Sequence, residues 1–166
     1  MKRNSNQKRL DIRAFIRHNN TRKNFLRRFF MFYITGIHAL NIPCSLKTEG
    51  DWHASALQWK NIQFYSSEKM FFKDYGIEAN KEIPESAERY FVANHIRALL
   101  DLLELGKYSI AQGMNREYIC NEDYDKEIFE KVYSMKKLKN WNKINDFMKQ
   151  EYRLKWLDFL SSIQRS

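Results

Sequence analysis

The stretch IPESAERYFVANHIRALLDLLELG, from Ile83 to Gly106, constrains the fold most, because both of its ends carry helix signals. Pro84 suits a first turn, Glu85 and Glu88 oppose the positive end of a helix dipole, and Gly106 offers a left-handed residue to stop the helix. Phe91, Val92, His95, Ala98, Leu99, Leu102 and Leu103 recur at helical spacing and make one apolar face. Such a face needs burial against other elements, so the spacing predicts a core helix over 84–105.

A chain of 166 residues suits one domain. Few glycines, only Pro43 and Pro84 as prolines, and many Phe, Tyr and Trp argue against disorder and favour long helices. The expectation is a mainly α (α+β) fold: a single-domain helical bundle around the central helix 84–105, with a small β element near 55–65. The division would be a basic, partly flexible segment over 1–21 and a globular domain over 22–166.

Between these landmarks the pattern is less regular. A helix is expected from Arg22 towards Thr35, with a strand over Phe29 to Thr35 as the alternative. Ile42 to Trp52 reads as a loop, and alternation around Trp59, Ile62 and Phe64 suggests short strands. Asn121, Asp123 or Asp125 can cap a helix through Ile128, Phe129, Val132 and Met135. A last helix over 141–163 carries apolar residues on more than one face, which fits a packing seam or a partner surface.

Charge is unevenly placed. Met1 to Phe30 holds ten basic residues and Asp11 as its one acid, so this segment accounts for the whole net charge of +9 and the remainder is neutral. Lys8, Arg9, Arg13, Arg17, Arg22, Lys23, Arg27 and Arg28 are the candidate contacts to nucleic acid, RNA or DNA, or to an acidic protein. Interleaved aromatic residues could stack on bases. A solvated charged face without a partner is the alternative.

Cys44 and Cys120 stand in no paired spacing, so neither a disulfide framework nor a Cys-x-x-Cys site is indicated, and a reducing, cytoplasmic setting is expected. The apolar run from Phe29 to Leu40 is too short to span a membrane, so no membrane partner is expected. His38, Cys44 and His53 lack the tight pairing of zinc signatures, and there is no phosphate loop or dinucleotide fingerprint. Neither a metal nor another cofactor is expected.

Two constellations could carry catalysis. Asp51 and His53 would share a face if extended, and a carboxylate can orient an imidazole as general base. Arg89 and His95 are separated by five residues, and Arg13 and His18 by four. The Arg89 pair resembles the R-x(4–6)-H element of HEPN-type ribonucleases, helical proteins in which such pairs, usually from two protomers, act on a phosphodiester. The resemblance implies a metal-independent ribonuclease using Arg89 and His95. A buried, satisfied core imidazole is the other reading of His95.

Taken together, the sequence favours a small basic binding or regulatory protein over an enzyme, with an accessory, inhibitory or antitoxin-like role. A composition rich in Lys, Asn, Ile and Phe suggests a bacterial or phage source. The alternatives are the ribonuclease and an obligate subunit of a defence-type complex, such as one half of a toxin–antitoxin pair, assembled as a homo-oligomer or hetero-complex through helix 141–163.

Overall fold

The computed structural model describes residues 31–51 and 57–165. These form a mixed α+β fold with several helices and one four-stranded sheet. The strands are β1 (Phe32–Ile34), β2 (Phe64–Ser66), β3 (Ile77–Glu82) and β4 (Arg89–Ala93), in the order β2-β1-β4-β3. β1 pairs antiparallel with β2 and parallel with β4, where Ile34 faces Val92. β3 and β4 are antiparallel with an irregularity between Glu78 and Lys81, and Asn80 there has φ 60°.

The helices are α1 (Ile37–Leu40), α2 (His95–Glu104), α3 (Tyr108–Ala111), α4 (Asp125–Ser134), α5 (Trp141–Tyr152) and α6 (Leu154–Gln164). A π-helical turn, Met114–Ile119, follows α3. Every residue from His95 to Leu103 is buried, and the core continues through Val92, Ile128, Val132, Ile144, Met148 and Trp156. Among the described residues, no helix is long and apolar enough to cross a membrane.

The expected helix over 84–105 is therefore corrected: it begins at His95, and Arg89–Ala93 is a strand. Glu85 has φ 60°, which breaks any helix running from Pro84. Tyr90, Phe91 and Val92 belong to the residue types that favour strands, and β4 finds hydrogen-bonding neighbours on both sides. Asn94 is the true N-cap, its side chain accepting the Arg97 main-chain N–H at 2.8 Å. The stop at Gly106 is as expected, with φ +70° and Lys107 N–H donating to the Leu102 carbonyl at 2.8 Å.

Three other expectations change. Phe32–Ile34 is a strand, the alternative to the helix expected towards Thr35, because β4 and β2 flank it. Near 55–65, Trp59–Asn61 forms a 3-10 turn, and the strand starts only at Phe64. The helix expected over 141–163 is two helices, since Arg153 takes φ 50° and ψ −122° between α5 and α6. Apolar residues on more than one face of the sequence pattern record this change of phase.

Candidate functional site

The loop between α1 and the undescribed residues 52–56 is tied to four parts of the fold. The Ser45 N–H and hydroxyl both donate to Glu78 on β3, at 2.9 and 2.6 Å. Tyr124 Oη donates to the Leu46 carbonyl at 3.0 Å, and Gly50 N–H to the Tyr118 carbonyl at 2.9 Å. The fourth anchor is His95, the first residue of α2, whose Nε2 lies 3.0 Å from the Ile42 carbonyl and whose Nδ1 lies 2.6 Å from Thr48 Oγ1. Gly50 lets the loop pass close to this ring: a Cβ at Gly50 would sit 2.6 Å from His95 Cε1 and 2.3 Å from the Leu40 carbonyl oxygen.

These contacts fix the chemistry of the imidazole. A carbonyl only accepts, so the proton of the neutral ring is on Nε2 and Nδ1 accepts from the Thr48 hydroxyl. Thr48 Oγ1 is also 3.6 Å from Cys44 Sγ. Cys44, Thr48 and His95 thus form a continuous chain, with His95 only 2% exposed and Cys44 partly exposed.

Burial pushes the Cys44 thiol up, but the His95 side chain, the His95 main-chain N–H and the Thr48 hydroxyl outweigh it and bring the value down to about 6. Cys120 is the contrast. It is exposed, yet its thiol donates to the Arg116 carbonyl at 2.8 Å, and some burial together with the Glu49 and Glu117 carboxylates pushes its value up.

The residues picked out from sequence are distributed differently. Arg89 lies on β4, paired with Glu82 and donating to the Asn80 carbonyl at 3.1 Å, whereas His95 is held inside by the loop. The two do not share a helix. Asp51 is buried, its Oδ2 accepting from Asn41 Nδ2 at 3.2 Å, and His53 lies outside the described residues. His38 packs edge-on against Trp59 with ring centroids 5.3 Å apart. Lys8, Arg9, Arg13, Arg17, Arg22, Lys23, Arg27 and Arg28, with the Arg13–His18 match and the segment 1–21, also lie outside the described residues.

Sequence reasoning missed the Cys44–Thr48–His95 chain. Cys44 and Thr48 are brought to His95 by loop contacts, and their spacing matches no catalytic motif. The chain matches no family model, no curated protein and no solved structure.

Proposed function

We propose that this is a small binding or regulatory protein whose basic leading segment engages nucleic acid or an acidic protein, while a charge-neutral body supplies the fold. The observation that carries this reading is the confinement of the net charge to Met1–Phe30. Its support from the body is that several charged groups there are paired with one another: Lys155 with Glu122 and Asp125, Lys81 with Glu78, and Arg97 with Asp101. An accessory or antitoxin-like role in a bacterial or phage cytoplasm belongs to the same proposal.

The test is retention of the full chain on RNA, DNA and an acidic polypeptide across a salt series. If eight of the basic residues meet phosphates, log affinity falls against log salt with a slope of about 7. Replacing Lys8, Arg9, Arg13, Arg17, Arg22, Lys23, Arg27 and Arg28 by Gln is expected to abolish retention. Equal retention by that variant would overturn the reading.

The ribonuclease alternative draws no support from the placement of Arg89 and His95, at the exposed first residue of an interior strand and at a buried helix start. The obligate-subunit reading has one observation in its favour. On α6, Leu154 is 72% exposed and Leu157 is 42% exposed, beside a buried Trp156. Size-exclusion measurement of the protein with Leu154→Glu and Leu157→Glu tests it, and an unchanged oligomeric state would remove that support.

A further inference from the structure

We propose that Cys44 is a reactive thiolate site, activated through Thr48 by His95 at the start of α2, and that it exchanges with the disulfides of small thiols. The inference is independent of the basic segment. It rests on three side chains in series, not on the cysteine alone: Cys44 Sγ to Thr48 Oγ1 at 3.6 Å, Thr48 Oγ1 to His95 Nδ1 at 2.6 Å, and His95 Nε2 to the Ile42 carbonyl at 3.0 Å.

The last contact sets the direction of the first two. With Nε2–H held by Ile42, Nδ1 is the free base, so the Thr48 hydroxyl donates to it and turns its lone pairs to the Cys44 S–H. Moving each proton one place along this chain gives a Cys44 thiolate accepting from the Thr48 hydroxyl, and a His95 imidazolium donating Nδ1–H to Thr48 Oγ1. The imidazolium and the main-chain N–H of the first helical residue then both stabilise the thiolate. Glu78 of β3, whose carboxylate meets the neighbouring Ser45, is taken up by Ser45 and by Lys81 Nζ at 2.7 Å. Lys47, Glu49 and Asp51 are the other charged residues of the loop, and Asp51 Oδ2 accepts from Asn41 Nδ2.

The reaction balances without a further oxidant, because the small disulfide is itself the oxidant. The Cys44 thiolate attacks one sulfur, the S–S bond of the reagent breaks, and a mixed disulfide forms. The departing thiolate takes the proton that His95 held, which restores the neutral imidazole.

The chain contains two cysteines, so Cys120→Ser leaves Cys44 alone and Cys44→Ser leaves Cys120 alone. Both full-length variants are treated with glutathione disulfide from pH 5 to 9, and mixed-disulfide formation is followed by intact mass. At pH 6 a thiol of pKa about 6 is half ionised; after its lower intrinsic nucleophilicity is discounted, Cys44 is expected to react at least about tenfold faster than Cys120. Its rate should rise with a midpoint near pH 6, although Cys120 is the more exposed thiol.

Thr48→Val should move that midpoint upward and slow the reaction at pH 6 by about tenfold. Thr48→Ser, which keeps the hydroxyl, should leave it in place. A Cys44 midpoint at or above that of Cys120, or a Thr48→Val protein that keeps the wild-type profile, would overturn the proposal. Because the wild-type midpoint is read without any substitution at Thr48 or His95, poor folding of a variant does not shield the idea.

Discussion

Arg97 and Asp101, one turn apart on α2, form an ion pair at 2.8 Å in which neither side chain has any exposure. Most of their remaining hydrogen-bonding capacity is used by other elements. Asp101 Oδ2 accepts from Tyr33 Oη at 2.6 Å and from Thr35 Oγ1 at 2.8 Å, both from the β1 region. Arg97 Nη1 donates to the Lys73 and Tyr75 carbonyls at 2.6 Å each, and Nη2 to Tyr33 Oη at 2.6 Å. Burial pushes the Asp101 carboxyl up, and the adjacent guanidinium and hydroxyls oppose it. The pair therefore joins α2 to β1 and to the turn preceding β3.

Removing either partner strands the other charge. Arg97→Ala and Asp101→Ala are each expected to cost about 3–5 kcal/mol in urea unfolding. Arg97→Met with Asp101→Leu should recover part of that loss but not all, because the Lys73 and Tyr75 carbonyls lose their donor. A loss in that double variant equal to the sum of the losses in Arg97→Met alone and Asp101→Leu alone would show that the pair does not act as a unit.

How much of this was legible follows from where each signal resides. The helix Asp125–Ser134 was readable because its apolar spacing is local, and Ile128, Phe129 and Val132 are indeed buried. The end of α2 at Gly106 is readable for the same reason, whereas its start is not. Pro84 and Glu85 mimic a helix start, but strand pairing with β1 and β3 claims Arg89–Ala93, and that partner choice is not written in the segment itself. Arg97 and Asp101 carried a visible i, i+4 charge spacing, but that spacing also describes an exposed surface pair. The break at Arg153 has neither Gly nor Pro to announce it. Cys44 and His95 are 51 positions apart in the chain and meet only through the loop.

Gly50 and Gly106 share a left-handed backbone, with φ +70° at each, yet differ in surroundings. A Cβ at Gly106 would meet only Tyr108 at 3.9 Å, whereas at Gly50 it would collide with the Leu40 carbonyl oxygen at 2.3 Å. Gly106→Ala should therefore cost about 1–2 kcal/mol, the backbone strain alone. Gly50→Ala adds a main-chain collision and should exceed it by at least about 2 kcal/mol in the same denaturant series. Equal losses would mean that the loop yields freely around His95.

Arg153 holds φ 50° and ψ −122° at the junction of α5 and α6, a conformation that strains a residue with a Cβ. Gly removes that strain but gains freedom in the unfolded chain, so the net expectation for Arg153→Gly is a gain of about 1 kcal/mol. Arg153→Ala keeps the Cβ and should leave thermal stability nearly unchanged. If both variants behave alike, the guanidinium and not the backbone governs this junction.

Glu104, at the end of α2, accepts the Phe71 main-chain N–H with both carboxylate oxygens, at 3.1 and 2.9 Å. Burial pushes its carboxyl up; the Phe71 N–H opposes this, Asp101 reinforces it, and Arg97 and Lys73 offset part of it. With the folded value above the unfolded one, the folded state holds the proton more firmly. The associated stability is present below about pH 4.3 and is lost as pH rises through the folded value. Glu104→Gln cannot ionise but keeps an acceptor for Phe71. Its stability relative to the wild type should therefore improve between pH 4 and pH 7 in parallel urea titrations. A difference that stays constant or reverses over this range would show that the carboxylate is better accommodated than its burial suggests, with the Phe71 N–H and the Arg97 charge prevailing.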